Sequence, residues 1–295
     1  MSGSILVTGA SGQLGKRVVE LLLERGAGAR IIAATRKPEG LAELKARGVE
    51  VRPADFNDEA SLASAFQGVE RALLISTDAL DEPGKRQRQH TAAIKAFKAA
   101  GVQHVAYTSI VNPAPSRILI SADHAATEAE LEKSGLHYTV LRNNMYSNML
   151  LLGTLQRAIA AGKLVNASGA GKVGYVTRED CARIAAAVMC EPPAGNQKLD
   201  VTGPESLSSA DVAVLVSELS GTKVEHLSIP LDALIDGMVQ HGLPRPLAEV
   251  YASFDAGTAA GELDVKSDHV QRFTGQKPQA LGDFLRANKA AWLGS

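Results

Sequence analysis

Three glycines, Gly9, Gly12 and Gly15, recur at a spacing of three in the stretch LVTGASGQLGKRV. An apolar run (Ile5, Leu6, Val7) precedes them, and Leu14, Val18, Val19, Leu21 and Leu22 follow at helical spacing. In a strand-to-helix turn each glycine has its own mechanical reason. Gly9 lets the chain turn sharply off the strand, Gly12 removes a side chain where backbone must approach phosphate, and Gly15 lets the helix pack closely on the strand. Amides at the helix start then point at the anion, so Thr8, Ser11, Gln13 and Leu14 join the glycines as a candidate pyrophosphate cradle. The bland alternative is a tight turn that holds nothing. Its place after a strand, before a helix and at the head of a long alternation favours the cradle.

The second apolar run ends as IIAATRKPEG. A site for NAD carries Asp or Glu roughly 20 residues past the turn, to bond the ribose 2′-hydroxyl. Thr35, Arg36 and Lys37 stand there instead. A carboxylate would repel a 2′-phosphate, whereas a guanidinium pairs with it bidentately, so the expected cofactor is NADPH, with NADH bound more weakly. In PADFND, Asp55 is placed to accept from the adenine amino group, with Phe56 beside the ring. The other reading of Asp55 is a helix cap, a role that Asn57 or Asp58 also fills. Ser76 and Thr77 in ISTD, and Thr108 and Ser109 in AYTSI, end two further apolar runs at the edge where open sheets bind ligands.

These residues resemble the short-chain dehydrogenase/reductase superfamily, whose ordinary members carry a Tyr-x-x-x-Lys pair that protonates a carbonyl as hydride arrives. Four residues beyond Tyr107, Tyr138, Tyr146, Tyr175 and Tyr251 stand Val111, Arg142, Leu150, Glu179 and Asp255, none of them Lys. The helix expected to hold the pair reads SADHAATEAELEKSG and contains no Tyr. The segments GASGQLG, TRKP, AYTSI, HAATEAELEKSGLHYTVLRNNMYSN and DVKSDHVQRFTGQKPQALGDFL run in the order seen in NmrA-like proteins, an atypical branch. More narrowly, the chain is similar to the bacterial quinone, azo and triphenylmethane dye reductases of that branch, in which a comparable Leu-Arg-Asn loop leaves the sixth strand.

That resemblance implies an acceptor of a particular kind. A plain ketone that takes hydride becomes a basic alkoxide and needs a matched acid. A quinone, a conjugated azo bond or a triphenylmethyl cation gives a delocalised anion or a neutral product, and needs chiefly a dry, stacked approach to the nicotinamide. The loop Asn143 to Asn148 is the candidate acceptor site. Asn143 and Asn144 are expected to bond the nicotinamide amide, while Met145, Tyr146 and Asn148 offer a polarisable wall and polar contacts to a flat acceptor. The competing reading makes Met145, Tyr146 and Met149 core residues at helical spacing. His124 and Glu128 share a helix face at i and i+4, either as a surface ion pair or with His124 on the cofactor side as a proton donor near neutral pH. His124 and Tyr146 are thus the two catalytic candidates. No metal-ligand spacing is present, and neither a metal nor a flavin is expected.

The elements that must position these residues follow from hydrophobic periodicity. Strands are expected at 4–8, 30–35, 49–52, 71–76, 103–109 and 138–142, with helices near 12–26, 39–47, 59–66, 84–100 and 123–134. Gly48, Gly68, Gly101 and Gly135 each sit just past a helical pattern, where a left-handed cap is needed. Such alternation is α/β: a Rossmann-type doubly wound parallel sheet, with a dinucleotide-binding domain over 1–150. Residues 151–295 are expected to form a smaller mixed α/β substrate lobe, partly returning to the first domain. Its expected helices lie near 148–161, 178–190, 208–219, 231–241, 245–259 and 280–292, and its short strands near 163–166 and 198–202.

Composition narrows the classes. The 295 residues are 45% hydrophobic and 21% charged, with a net charge of −1, enough for a sizeable core and without attraction for nucleic acid or an anionic membrane. Cys181 and Cys190 lie nine apart in one helical pattern, on opposite faces, and read as buried small hydrophobes. No apolar run reaches ~18 residues, so the expectation is a reduced, cytoplasmic protein, monomeric or homodimeric. Its partner is expected to be a small aromatic electron acceptor. Two functions stay open: an NADPH-dependent reductase of flat conjugated acceptors, or a non-catalytic NADP(H)-sensing regulator. A nucleotide-sugar epimerase is disfavoured because it needs the missing Tyr base.

Overall fold

The computed structural model describes residues 3–26 and 28–293. Its elements, in chain order, begin with β1 (Ser4–Val7), α1 (Gln13–Glu24), β2 (Arg30–Thr35), a 3-10 turn (Pro38–Leu41), α2 (Ala42–Ala46), β3 (Glu50–Pro53) and α3 (Glu59–Phe66). Next come β4 (Arg71–Leu74), α4 (Lys85–Ala99), β5 (His104–Ile110), α5 (Ser121–Ser134) and β6 (His137–Asn143). A 3-10 turn (Ser147–Leu151) then leads to α6 (Thr154–Ala161), β7 (Lys163–Asn166), β8 (Lys172–Val173), α7 (Arg178–Cys190) and β9 (Gln197–Val201). The chain closes with β10 (Leu207–Ser208), α8 (Ser209–Ser220), β11 (Glu225–Ser228), α9 (Leu231–Gln240), α10 (Arg245–Ala259), α11 (His269–Thr274), α12 (Leu281–Ala287) and α13 (Lys289–Leu293).

Seven strands form one sheet in the order β3-β2-β1-β4-β5-β6-β9. The pairings β2–β3, β1–β2, β1–β4 and β4–β5 are parallel. The order reverses between β1 and β4, and at such a switch point a doubly wound sheet opens a crevice for a ligand. The glycine turn leaves β1 at that point. Periodicity explains the strands: β1 is buried along its whole length, as a central strand covered on both faces must be. Phe66 and Phe97 stack 4.3 Å apart within a core that includes Leu6, Ile32, Leu62, Val105 and Tyr107.

Several expectations change in the second half. The strand near 198–202, assigned to the smaller lobe, is the seventh strand of the main sheet. The helix expected over 148–161 is a 3-10 turn and a separate α6, because Gly153 takes φ +87, a left-handed conformation that ends one helical segment and starts the next. The helix near 280–292 is likewise two, interrupted at Asn288. The strands β8, β10 and β11 and helix α11 went unforeseen, since elements of two to six residues carry too little periodicity to read.

The chain forms two compact units: Met1–Ser109, Asp123–Arg142 and Cys181–Leu199 in one, and Ile110–Ala122, Asn143–Asp180 and Asp200–Ser295 in the other. The second unit has its own core, in which Leu155, Val216, Leu263, Phe284, Leu285 and Trp292 meet. Trp292, fully buried, donates from Nε1 to the carbonyl of Leu285 at 2.9 Å. Cys181 is buried and Cys190 half-buried, and they form no disulfide. Among the described residues no helix is long and apolar enough to cross a membrane.

Candidate functional site

The first unit carries the glycine turn. Gly9 has φ +59, and the Gly12 amide closes the turn on the Gly9 carbonyl at 2.9 Å. Gly12 is the N-cap of α1; no side chain caps it and no carboxylate stands in the first turn. The positive end of the helix dipole therefore meets no counter-charge from the protein there. Gly15 differs from its expected role. A Cβ on it would lie 2.4 Å from the Gly9 carbonyl oxygen and 2.9 Å from Ala10 Cα, so the close approach is to the turn itself and not to the strand. Leu14 is buried and anchors the helix start, while Ser11 and Gln13 are exposed.

Neighbouring polar residues divide into those that brace the turn and those left facing outward. Thr8 Oγ1 donates to the Leu73 carbonyl and accepts the Ile75 amide, tying β1 to the exit of β4. Thr108 Oγ1 accepts the Ser76 amide at 2.9 Å. Ser11 and Thr35 join through their hydroxyls at 2.8 Å, and Thr35 also accepts the Lys37 amide. Thr8, Thr35 and Thr108 are thus braces that shape the crevice. Arg36 and Lys37 are both exposed, and neither pairs with a carboxylate among the described residues. Asp55 Oδ1 accepts from both the backbone amide and the side-chain amide of Asn57, which itself accepts from Gln89. Asp58 is the residue that caps α3, accepting from Ala60 and Ser61. Phe56 packs on the unit's core.

Helix α5 departs most from expectation. His124 and Glu128 are both buried and face different partners, so neither a surface ion pair nor an accessible proton donor exists there. Arg86 can only donate, so its Nη2 donates to His124 Nε2 at 2.7 Å. Burial, reinforced by the Arg86 charge, holds the His124 ring well below its usual range and neutral. The ring proton therefore sits on Nδ1, 2.8 Å from Tyr107 Oη, which accepts it. His90 repeats the pattern: its Nε2 accepts the Thr77 amide, and its Nδ1 faces Thr127 Oγ1 at 2.9 Å. Burial pushes His90 down to about 3, with the Arg86 charge adding to it. This network locks α4, α5 and β5 together and fixes the Thr77 backbone. It leaves the Thr77 hydroxyl buried without a partner.

Glu128 takes Ser109 Oγ at 2.7 Å, both Nε and Nη2 of Arg142 at 3.0 and 2.6 Å, and Lys198 Nζ at 3.1 Å. Burial by itself would raise its carboxyl, but the hydrogen bonds from Arg142 and Ser109 outweigh that and hold it below its usual range. Ser109 is accordingly held as a member of an ionic cluster.

The second unit carries the Asn143 to Asn148 loop. Asn144 is buried and engaged at both ends of its amide: its Nδ2 donates to the Leu263 carbonyl at 3.0 Å and its Oδ1 accepts the Met145 amide at 2.8 Å. Asn148 Oδ1 accepts the Arg178 amide at 2.9 Å, at the start of α7. Both brace the loop through these bonds. Met145 packs on the unit's core. Asn143 and Tyr146 come together, with Asn143 Nδ2 donating to Tyr146 Oη at 3.0 Å. Asn143 Oδ1 and Ser147 Oγ are buried without partners.

Tyr146 is bridged to Val176, whose amide donates to the Met145 carbonyl and whose carbonyl accepts from Ser147. Arg178 places its guanidinium 5.5 Å from the Tyr146 ring centroid, within cation–π range. Sequence reasoning missed Arg178. A signal was available: TRED has the Thr-x-x-Asp spacing of a helix start preceding an apolar run, and Thr177 Oγ1 accepts the Asp180 amide at 3.0 Å. Arg178 is the first residue of the helix that follows.

The donor set suits a phosphorylated dinucleotide. An uncapped helix start at a switch point, a glycine turn that a Cβ would fill, and two unengaged basic side chains are the features a pyrophosphate and a 2′-phosphate require.

Comparison with known proteins agrees with this geometry. The NmrA-like family model matches residues 1–285. Quinone oxidoreductase 2 of Escherichia coli (strain K12) is 36% identical over 281 residues, covering 95% of this chain and 97% of that protein. NAD(P)H azoreductase of Xenophilus azovorans is 30% identical over 293 residues, covering 98% and 99%. The crystal structure of the Citrobacter sp. triphenylmethane reductase complexed with NADP(H) superposes with a TM-score of 0.90 at 34% identity, covering 96% of this chain and 99% of that one.

Proposed function

The chain belongs to the NmrA-like family, and from that premise we propose that it is an NADPH-dependent reductase acting on flat conjugated acceptors. Its relatives are quinone and azo reductases and a triphenylmethane reductase, which supports an oxidoreductase using a nicotinamide cofactor. The single observation that carries the choice of NADPH is the exposed pair Arg36 and Lys37 at the end of β2, with no carboxylate to neutralise them. They are suited to the 2′-phosphate, the α1 N-terminus to the pyrophosphate, and Asp55 to the adenine amino group.

The bound cofactor supplies the hydride. Around it, the chain's own residues orient and exclude water. In the first unit, Thr8 and Thr108 tie the exit of β4 to β1 and to β5, and the unpartnered Thr77 hydroxyl is a polar atom suited to a ribose group; in the second unit, the buried Asn143 amide oxygen is a polar atom suited to an amide donor. Tyr146 and Met145 offer a flat, polarisable surface to the acceptor. With α5, the helix expected to hold a Tyr-Lys pair, carrying buried His124 and Glu128, the favoured acceptors are those whose reduced product is delocalised.

The test is NADPH oxidation by the purified protein against a panel of quinones, azo dyes and triphenylmethyl cations, alongside calorimetric NADPH binding. Turnover with at least one class is expected. Binding without turnover in any class overturns the reductase reading in favour of a sensor, and no binding overturns the cofactor assignment.

A further inference from the structure

We propose that Gln89 and Asn57 are positioning residues that set the base specificity of the cofactor site, holding the Asp55 carboxylate so that it accepts from an aminopurine and rejects an oxopurine. This rests on the reading of Asp55 as the contact to the adenine amino group, and adds to it what holds that carboxylate in place.

Every residue involved lies in the first unit. Gln89, in the second turn of α4, donates from Nε2 to Asn57 Oδ1 at 3.1 Å. Asn57 in turn donates twice to Asp55 Oδ1, from its backbone amide and from its Nδ2, each at 2.9 Å. One oxygen of the half-buried Asp55 carboxylate is thus committed to two donors, and Oδ2 has no partner among the described residues. An ionised carboxylate only accepts, so Oδ2 remains an acceptor for a donor from outside the chain. The backbone beneath is fixed as well. The Asp55 amide donates to Ser61 Oγ at 3.1 Å. Its carbonyl accepts the Asp58 amide, and the Ala54 amide donates to the Thr35 carbonyl, both at 3.0 Å.

The polarity of the Asn57 amide decides which way this works. Turned over, Asn57 would set its oxygen against the carboxylate. The Gln89 donor holds the oxygen end of Asn57 and so keeps the N–H end on Asp55. Asn57 is exposed, so without Gln89 water would serve either orientation of its amide. Gln89 is 6% exposed, and its Oε1 is buried without a partner. A buried amide oxygen that makes no hydrogen bond costs stability that an apolar side chain of similar size would not. Packing therefore does not account for a glutamine at this position, whereas its donor does. The next residue, His90, accepts the Thr77 amide, so two consecutive residues of α4 hold the loops that leave β3 and β4.

Adenine presents an exocyclic amino donor beside a bare ring nitrogen. Hypoxanthine presents an exocyclic carbonyl oxygen beside a ring N–H. A carboxylate fixed opposite the exocyclic position bonds the first base and repels the second. A carboxylate free to swing toward the ring nitrogen reaches the N–H and tolerates both. Specificity is a difference of two affinities, and here the immobility of Asp55 creates the difference, since its charge alone would serve either base.

The experiment is calorimetry of NADPH, of its hypoxanthine counterpart and of NADH on wild type, Asp55→Asn, Gln89→Met and Asn57→Ala, with urea unfolding of each protein. Wild type should prefer NADPH to the hypoxanthine compound by about ten- to a hundredfold, the worth of a hydrogen bond to a charged group. In Gln89→Met that preference should fall by roughly tenfold, while the ratio of NADPH to NADH affinity, assigned to Arg36 and Lys37, stays as in wild type. Its urea midpoint should be no lower than wild type, because an unpaired buried oxygen has been removed. Asn57→Ala breaks the same link from the exposed side and should lose the same discrimination, so the result does not depend on one buried substitution. Asp55→Asn should abolish the preference. A preference that Asp55→Asn abolishes but Gln89→Met and Asn57→Ala both keep in full overturns the positioning role and leaves the Asp55 contact standing. A wild-type protein that binds both purine compounds equally overturns the Asp55 contact, and one that binds no NADPH overturns the cofactor assignment; the positioning role falls with either.

Discussion

Replacing Gly15 by alanine is the sharpest test of how the turn is built. The added Cβ would lie 2.4 Å from the Gly9 carbonyl oxygen and 2.9 Å from both Gly9 C and Ala10 Cα. Since Cβ contacts under 3.0 Å are essentially never seen, the helix and the turn must separate by at least about 0.6 Å. The turn cannot yield freely, because Ala10 is fully buried with its amide bonded to Ala34, and Thr8 is stapled to Leu73 and Ile75. Overpacking of this kind costs about 1 to 3 kcal/mol, and alanine's helix preference over glycine returns about 1 kcal/mol. The net expectation is a loss of about 0 to 2 kcal/mol in urea unfolding of the cofactor-free protein. The same displacement withdraws amides from the anion, and a lost hydrogen bond to a charged group is worth about 1.5 to 3 kcal/mol, so NADPH affinity should fall by roughly ten- to a hundredfold in calorimetry. Gly12→Ala is the control: its Cβ comes no closer than 3.2 Å to the Gly9 carbonyl. It should cost little stability while still weakening NADPH. If Gly15→Ala unfolds and binds NADPH like wild type, close approach is not what the glycine is there for.

Two further outcomes follow from single side chains. Arg36→Asp should raise the KM for NADPH by roughly tenfold or more relative to NADH, with the difference shrinking at high salt because the site is exposed; an unmoved cofactor ratio in steady-state kinetics refutes the role given to the TRKP segment. Asp255, on α10, is raised from 3.8 to about 6 by burial, against a smaller lowering effect from the Ala167 amide. A carboxyl with a raised folded pKa leaves the folded state holding more protons between those values. Its contribution is therefore intact below the unfolded pKa and lost as pH rises through about 6. Allowing for its partial exposure, Asp255→Asn should stabilise the protein by about 1 to 2 kcal/mol at neutral pH and by little near pH 3.5; equal urea midpoints for the two proteins at neutral pH would refute this.

Features set by near neighbours were legible in the chain. The glycine turn depends on residues within seven positions of each other, and Asp58 caps the helix that follows it immediately. Arg36 and Lys37 lie at the end of a strand whose periodicity is plain. Asn144 and Asn148 were read as ligand groups because an amide on a loop advertises donors and acceptors. Which partner such an amide finds is a long-range matter: Leu263 lies 119 residues from Asn144, and Arg178 lies 30 from Asn148. His124 illustrates the same limit, since its i, i+4 spacing to Glu128 is compatible with a surface pair or with two buried residues turned to Arg86 and Arg142.

Periods of two and of 3.6 residues, together with the turn chemistry of glycine, are enough to specify alternating strands and helices, the switch-point turn and a basic strand end. They act between near neighbours, so they are written in the order of the residues. Packing settled the rest: the entry of β9 into the main sheet, the bond from Asn144 to Leu263, the neutral buried His124, and the meeting of Tyr146 with Arg178. Each of those depends on which distant groups burial forces to share hydrogen bonds, and a linear pattern contains no record of that choice until the chain has closed on itself.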